Sequence, residues 1–403
     1  MFKRWQEKNL IRALATRRGV HLTGARQSGK STLADMLDLA NSRRCTFDNG
    51  KVRSAAESDP EEFVKRGHGE TLVIDEIQKV PSLLEYIKIR LDKDNSKGQY
   101  LLTGSANLRF AKRIKDSLAG RLRTIRLRPL SMGEIRGGKG VFLERAFSRD
   151  FESPYNLTKR DVIHEAVLGG YPEALEMDAR DRRAWYTDYI TDILVKDIQD
   201  VTEIRKVESM RKVFDWLLAY STKFFEKKDL CTQAQLTKET VDTYLGALSA
   251  LYLFDGVEPW SDSDYDRIGK RTKYVAADTG LMANLLGWNE DAAYYDDDMC
   301  GKLVETWVYH QLASLCDLDS SYDIMQYRDS EKREIDFIVK RDSELLGIEV
   351  KAGTVGTGDF KHLKWFRNNL FKGHFTGIVL YSGSEVLSFG DDCYAVPFGC
   401  LGA

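Results

Sequence analysis

GVHLTGARQSGKST, residues 19–32, decides the fold. A short apolar run leads into Gly24-Ala-Arg-Gln-Ser-Gly29-Lys30-Ser31-Thr32, which fits the spacing G-x4-G-K-[ST]. Apolar Leu33, Met36, Leu37 and Leu39 follow at helical intervals. The reading is strand, glycine loop, helix N-terminus. In that setting backbone N–H groups and the helix dipole hold phosphates, while a lysine reaches the β- and γ-oxygens. Gly24, Gln27, Ser28, Gly29 and Thr32 would line the nucleotide, Lys30 would meet its phosphates, and Ser31 would offer a hydroxyl to Mg2+.

Working outward, TLVIDE at 71–76 ends a second apolar run in Asp75 and Glu76. Asp75 at a strand end would hold Mg2+ through water, and Glu76 would polarise the attacking water as general base. A third run, YLLTGSAN at 100–107, ends in small polar residues, of which Thr103, Ser105 or Asn107 would sense the γ-phosphate. The segment SLAGR offers Arg121, ahead of RLRTIRLR. An arginine placed there could enter a neighbouring subunit's site and stabilise developing phosphoryl charge. With GVHLTG, RCTFD and RTIRLRPL, these runs predict strands buried in a parallel sheet within residues 1–150. Intervening helices make it an α/β layer with its ligand at the strands' carboxyl ends.

Past residue 150 the strand-like runs stop. AWYTDYITDILVKDI and MRKVFDWLLAYS carry apolar residues at three and four spacing, so 151–227 is expected to be a helical lid. Residues 228–262 read as helix-turn-helix with a possible wing. Thr237 is the candidate N-cap, and Val241, Tyr244, Leu245 and Leu248 share a face. Thr237, Lys238 and Thr240 would begin a recognition helix, and Lys270, Arg271 and Lys273 would contact phosphates.

Residues 263–403 return to mixed α/β. GKLVETWVYHQLASL is an amphipathic helix carrying Glu305, Asp336 lies in REIDFIVK, and Glu349 and Lys351 lie in LLGIEVKAG. Alternation puts Glu349 and Lys351 on one strand face. Glu305, Asp336 and Glu349 would hold Mg2+, and Asp336, Glu349 and Lys351 would orient a water against a phosphodiester. The run Asp296-Asp297-Asp298 reads as a solvated turn.

Composition bounds the rest. At 403 residues, 42% apolar and 30% charged, the chain is globular and long enough for two or three domains. A net charge of −2 removes any argument from bulk electrostatics for nucleic-acid binding, though local basic faces remain open. The six cysteines lack short C-x2-C spacing, and the six histidines lack metal-ligand spacing. The start MFKRWQEKNL is charged at once, unlike a signal peptide. No run of eighteen apolar residues suggests a membrane span, so a cytoplasmic protein is expected.

Taken together, GARQSGKST, LVIDEIQ, LLTGS, SLAGR, GGYPE at 169, ADTGL at 277, YRDSEKREIDFIV at 327 and GIEVKAG at 347 carry a resemblance over nearly the whole length. The chain resembles bacterial and archaeal AAA-family ATPases with a C-terminal domain of unknown function related to PD-(D/E)xK nucleases. The resemblance implies an AAA+ P-loop ATPase core, a winged-helix element and a nuclease-like domain, assembled as a homo-oligomer or ring. It gives Lys30, Asp75 and Glu76 the Walker roles, and Glu305, Asp336, Glu349 and Lys351 the nuclease-like positions. Ala25 and Ser31 depart from the family's frequent proline and threonine without changing the chemistry. Lys196-Asp197 replaces a frequent Arg-Asp pair and questions the role of that helix. The first expectation is Mg2+-dependent ATP hydrolysis coupled to binding and remodelling or cleavage of DNA. The alternative is a regulatory ATP switch with a non-cleaving nuclease-like platform. A small-molecule kinase fits neither the added domains nor Glu76 beside Asp75.

Overall fold

The computed structural model describes residues 2–403 apart from 40, 66, 68, 106–117, 119, 199–206 and 262–270. Asn107 and Lys270 therefore lie outside the described residues. The first five strands are β1 (Gly19–Thr23), β2 (Ser42–Thr46), β3 (Thr71–Asp75), β4 (Tyr100–Gly104) and β5 (Leu122–Arg126). They form one parallel sheet in the order β2-β3-β4-β1-β5. Every residue of β1 and β4 is buried, which is why these segments read as continuous apolar runs rather than alternating ones. The chain leaves β1 for the far edge at β2 and returns through β3 and β4. The carboxyl ends of β1, β3 and β4 thus share one crevice, where open α/β sheets bind their ligands.

Helices Lys159–Leu168, Ala179–Asp192 and Val207–Ala219 follow. Then come Lys227–Ala234 and Lys238–Ala250, the latter capped by Thr237, whose hydroxyl accepts the Thr240 N–H. Val241, Tyr244, Leu245 and Leu248 are buried on its inner face. Strand β6 (Phe254–Val257) pairs antiparallel with β7 (Lys273–Ala276), so the ribbon draws its strands from both sides of the boundary expected at residue 262.

The GGYPE and ADTGL segments meet. Asp278 accepts the Gly170 N–H at 2.7 Å and the Leu281 N–H at 2.7 Å, and Tyr186 donates to it at 3.1 Å. A β-carbon on Gly280 would fall 2.4 Å from the Tyr186 hydroxyl and 2.5 Å from the Leu168 carbonyl. The two motifs form a clasp between helices, which requires glycine there.

Helix Asp297–Cys316 is buried at every position from Leu303 to Cys316, not along one stripe, because it runs between the helical layer and a second sheet. Asp296 caps it by accepting the Met299 N–H at 2.9 Å, and Asp297 and Asp298 occupy the first turn. The expected solvated turn is a helix start, favoured by acid near the positive end of the helix dipole.

The second sheet contains β8 (Tyr322–Arg328), β9 (Glu334–Arg341), β10 (Glu344–Lys351), β11 (His374–Tyr381), β12 (Leu387–Ser388) and β13 (Cys393–Pro397). Its order is β12-β13-β11-β10-β9-β8, with β9–β10 the expected hairpin. Among the described residues no helix is long and apolar enough to cross a membrane.

Candidate ATPase site and C-terminal acidic centre

The glycine loop closes tightly over the sheet. Gly24 has φ +150°, and a β-carbon there would sit 2.0 Å from the Leu127 carbonyl oxygen. Gly29, at φ +95°, opens the helix Lys30–Met36. Gln27 is left-handed at φ 58° and exposed, as is Thr32, whereas Ser28 is buried. Lys30 Nζ donates to the carbonyls of Gly24 at 3.0 Å and Ala25 at 2.8 Å. Burial lowers its ammonium to about 8, against the opposing pull of Glu76 and Asp75.

The end of β3 gathers the expected polar groups. Ser31 Oγ donates to Asp75 Oδ1 at 2.9 Å, and the Thr103 hydroxyl donates to the same oxygen. Thr46, which the sequence reading missed, reaches Oδ2 at 3.5 Å. Glu76 sits in the left-handed region at φ 59° and takes a hydrogen bond from the Gln78 amide. Gln78 Nε2 also donates to Ser105 Oγ at 3.0 Å, which ties the general-base candidate to β4. Burial raises the Glu76 carboxyl, with Lys30 and the Gln78 bond opposing. Lys30, Ser31, Asp75, Glu76, Thr103 and Ser105 therefore converge.

An alanine at Gly24 would have to hold a strained φ against a backbone oxygen. Strain of ~1–3 kcal/mol at such a position predicts that Gly24→Ala weakens ATP binding by ~10–100-fold. Titration with a fluorescent nucleotide checks this; unchanged affinity would show that the close approach is dispensable.

Residues without a spacing signal brace the loop. Arg4 donates to the Ser28 carbonyl at 2.7 Å, the Arg128 carbonyl at 2.6 Å and Glu134 at 3.0 Å. Arg26 pairs with Asp197 at 3.3 Å, and the Tyr189 hydroxyl donates to the Arg26 carbonyl at 3.1 Å. Asp197 ends a π-helical turn, Ile193–Asp197, a local distortion that re-aims side chains. The helix questioned by the Lys196-Asp197 departure thus contacts the loop through Asp197, while Lys196 pairs with Asp192 at 2.8 Å.

Arg121 lies elsewhere. It precedes β5 at the amino edge of the sheet, opposite the phosphate loop, and forks onto Asp92 at 2.6 and 3.0 Å. It cannot act on its own subunit's nucleotide.

In the second sheet, the Val350 N–H donates to Asp336 Oδ2 at 2.9 Å across the β9–β10 hairpin. Burial raises the Asp336 carboxyl, and the nearby charge of Glu305 adds to it. Burial also raises Glu349, with Asp336 adding and Lys351 opposing. Lys351 lies 3.6 Å from Asp359. Glu305, Asp336, Glu349 and Lys351 therefore do gather.

Among the described residues no group of three or more His, Cys, Asp or Glu is drawn together tightly enough to hold a metal ion as it stands. Glu305 Oε1 instead accepts from Lys273 Nζ at 3.0 Å, and Glu334 accepts from the same nitrogen at 3.1 Å. Lys273 is 0% exposed. The expectation that it contacts phosphates is wrong, because its strand packs inward against the helix carrying Glu305. Arg271, beside it, is exposed and pairs with Glu226.

Residues 16–136 match the AAA domain family; residues 159–292 and 300–401 match two domains of unknown function, DUF8612 and DUF4143. Uncharacterized proteins of Mycobacterium tuberculosis and Mycobacterium bovis are each 26% identical over 395 residues, covering 96% of this chain and 82% of their own. A Walker-type ATPase of Pyrococcus abyssi superposes with TM-score 0.43 at 14% identity, over 70% of this chain and 94% of that one. The RuvB Holliday junction branch migration motor of Thermotoga maritima gives TM-score 0.30 at 17% identity, over 70% and 94%. The N-terminal domain is a P-loop ATPase domain of the AAA type, and the chain is an ATPase.

Proposed function

We propose that this chain hydrolyses ATP with Mg2+ and uses the cycle to change how its C-terminal half binds and remodels DNA. The observation that carries the coupling is a chain of polar contacts leading out of the phosphate loop. Arg26 meets Asp197, and Thr23 Oγ1 meets the Tyr252 hydroxyl at 2.8 Å. Arg126 and Arg128, at and just beyond the end of β5, both grip Asp255 on β6. Tyr309 of the long buried helix donates to Asp255 at 3.0 Å. These contacts give a shift at the nucleotide a route to the ribbon and to the long buried helix.

The Ser31 hydroxyl and Asp75 carboxylate, 2.9 Å apart, are the oxygen donors a hard divalent ion takes, so the site fits Mg2+. When bound, the ion would screen the phosphate charge. Glu76 accepts a proton from the attacking water, Lys30 binds the phosphates, and Thr103 and Gln78 report on the γ-position. In an oligomer, Arg121 of a neighbouring copy would leave Asp92 to complete the site.

On the DNA side, the winged-helix reading rests on the helix pair and the β6–β7 ribbon. Thr237 and Lys238 are exposed at the start of the second helix. Arg271, Arg328 and Lys332 line a groove beside Phe224, which suits phosphate contact.

The second reading, a regulatory switch with a non-cleaving nuclease-like platform, is favoured over cleavage by the ion pair between Lys273 and Glu305. The test is ATP turnover and binding with duplex, single-stranded and four-way-junction DNA at physiological salt. We expect DNA to stimulate hydrolysis several-fold and Lys238→Ala/Arg271→Ala to weaken that stimulation. ATP hydrolysis with no DNA bound would overturn the DNA reading in favour of the switch.

A further inference from the structure

We infer that Arg26 of the glycine loop and Asp197 of the helical layer form a sensor for the γ-phosphate: the carboxylate holds the guanidinium until ATP binds, and then yields it to the phosphate. This rests on the ATPase site alone and is independent of what the C-terminal half binds.

The pair sits at the phosphate end of the sheet. Arg26 lies between Gly24 and Gly29, in the loop whose N–H groups would hold phosphates. Its guanidinium opposes the charged form of Lys30, and Asp197, with Glu76 and Asp75, favours it. Both members of the pair are therefore within electrostatic reach of the lysine that meets the phosphates. Phosphate charge arriving there repels Asp197 and attracts Arg26.

The contact is suited to exchange. Arg26 Nη1 lies 3.3 Å from Asp197 Oδ1 and 3.4 Å from Oδ2. A strong charge-assisted bond is shorter, and here one nitrogen makes both contacts in place of the guanidinium fork. The same fork recognises carboxylate and phosphate, so one can replace the other. The Arg26 side chain is 40% exposed and that of Asp197 19%, so the exchange strands no charge in a dry interior. Lys79, which bonds Asp48, also favours the ionised form of Asp197.

The backbone beneath the pair is held separately. The Tyr189 hydroxyl donates to the Arg26 carbonyl at 3.1 Å and lies 2.9 Å from the Tyr171 hydroxyl. Asp197 closes the π turn Ile193–Asp197, which continues the helix Ala179–Asp192 that carries Tyr189. Such turns occur mostly at functional sites. The side chains can thus change partners while Tyr189 keeps the loop in place.

The experiment is calorimetric titration of the full chain, with Mg2+, using ADP and the β,γ-imido analogue of ATP. Asp197→Asn should bind the analogue ~2–5-fold more tightly, the effect of releasing a part-exposed ion pair, and leave ADP nearly unchanged. Arg26→Ala should weaken the analogue ~10–100-fold, as expected for a lost bond to a charged group, and ADP far less. Adding Asp197→Asn to Arg26→Ala should recover part of that loss, because it removes a carboxylate left uncompensated beside the phosphates.

An Asp197→Asn protein that weakens both nucleotides equally, or leaves their ratio unaltered, would overturn the inference. Arg26→Ala shortens a part-exposed side chain and keeps the carbonyl that Tyr189 holds, so it gives a reading even where the Asp197 variant fails to fold. Equal losses of analogue and ADP in that variant would overturn the inference as well.

Discussion

Replacing Glu76 with glutamine is expected to lower ATP turnover by ~10²–10⁴-fold, the range that a positioned general base contributes. ATP should still bind. Glutamine keeps the size of the side chain and can still take part in the hydrogen bond with Gln78 that links Glu76 to Ser105. What it loses is the capacity to accept a proton. Lys30→Ala should differ, because Lys30 fastens the loop through the Gly24 and Ala25 carbonyls and meets the phosphates directly. That variant should lose affinity as well as turnover. Single-turnover hydrolysis beside nucleotide titration separates the two. A Glu76→Gln protein that hydrolyses at the unaltered rate would remove Glu76 from the proton transfer and pass the role to another group near β4.

The largest effect on stability is expected at Asp255. Its carboxylate is gripped by Arg126 at 2.8 Å, by Arg128, and by the Tyr309 hydroxyl at 3.0 Å. Arg128 also reaches Asp317 at 2.7 Å, so the cluster joins the ATPase sheet, the ribbon and the C-terminal domain. Asp255→Ala leaves two guanidinium groups facing a void, one of them on a residue only 8% exposed. Breaking a buried pair from one side costs ~3–5 kcal/mol. Urea unfolding followed by tryptophan fluorescence should show a midpoint displaced accordingly, and a shift no larger than for an exposed Asp→Ala control would refute the assignment.

The same cluster sets an acid limit. Burial alone would raise the Asp255 carboxyl, but Arg126 and Arg128 more than offset it and hold it well below the usual range. A depressed carboxylate contributes its full stabilisation above the unfolded value of ~3.9 and loses it as pH falls through the folded value. The acid limb of the stability curve should therefore lose this contribution in Asp255→Asn.

The ATPase half was legible because its determinants are local. A glycine loop between a strand and a helix spans fourteen consecutive residues, and Asp75-Glu76 closes a run whose burial is written in its composition. Thr237 as a cap and the β9–β10 hairpin were readable for the same reason. The contacts that adapt this loop to this chain were not. Arg4 reaches Ser28 and Glu134 across 24 and 130 positions, and no short-range pattern marks such a pair.

Lys273 is the sharpest case. It stands among basic residues beside a polar stretch, which favours an exposed phosphate contact when only neighbours in sequence are considered. Its partners Glu305 and Glu334 lie 32 and 61 residues away. Sequence by itself determined the parallel sheet, the phosphate loop with its acidic pair, and the set of acidic residues near the C-terminus, because backbone periodicity and motif spacing are short-range properties. Tertiary structure alone decided which cation those acids meet, and placed Arg121 at the far edge of its own sheet. Charge pairing depends on distances between elements remote in the chain, and only packing brings them within 3 Å.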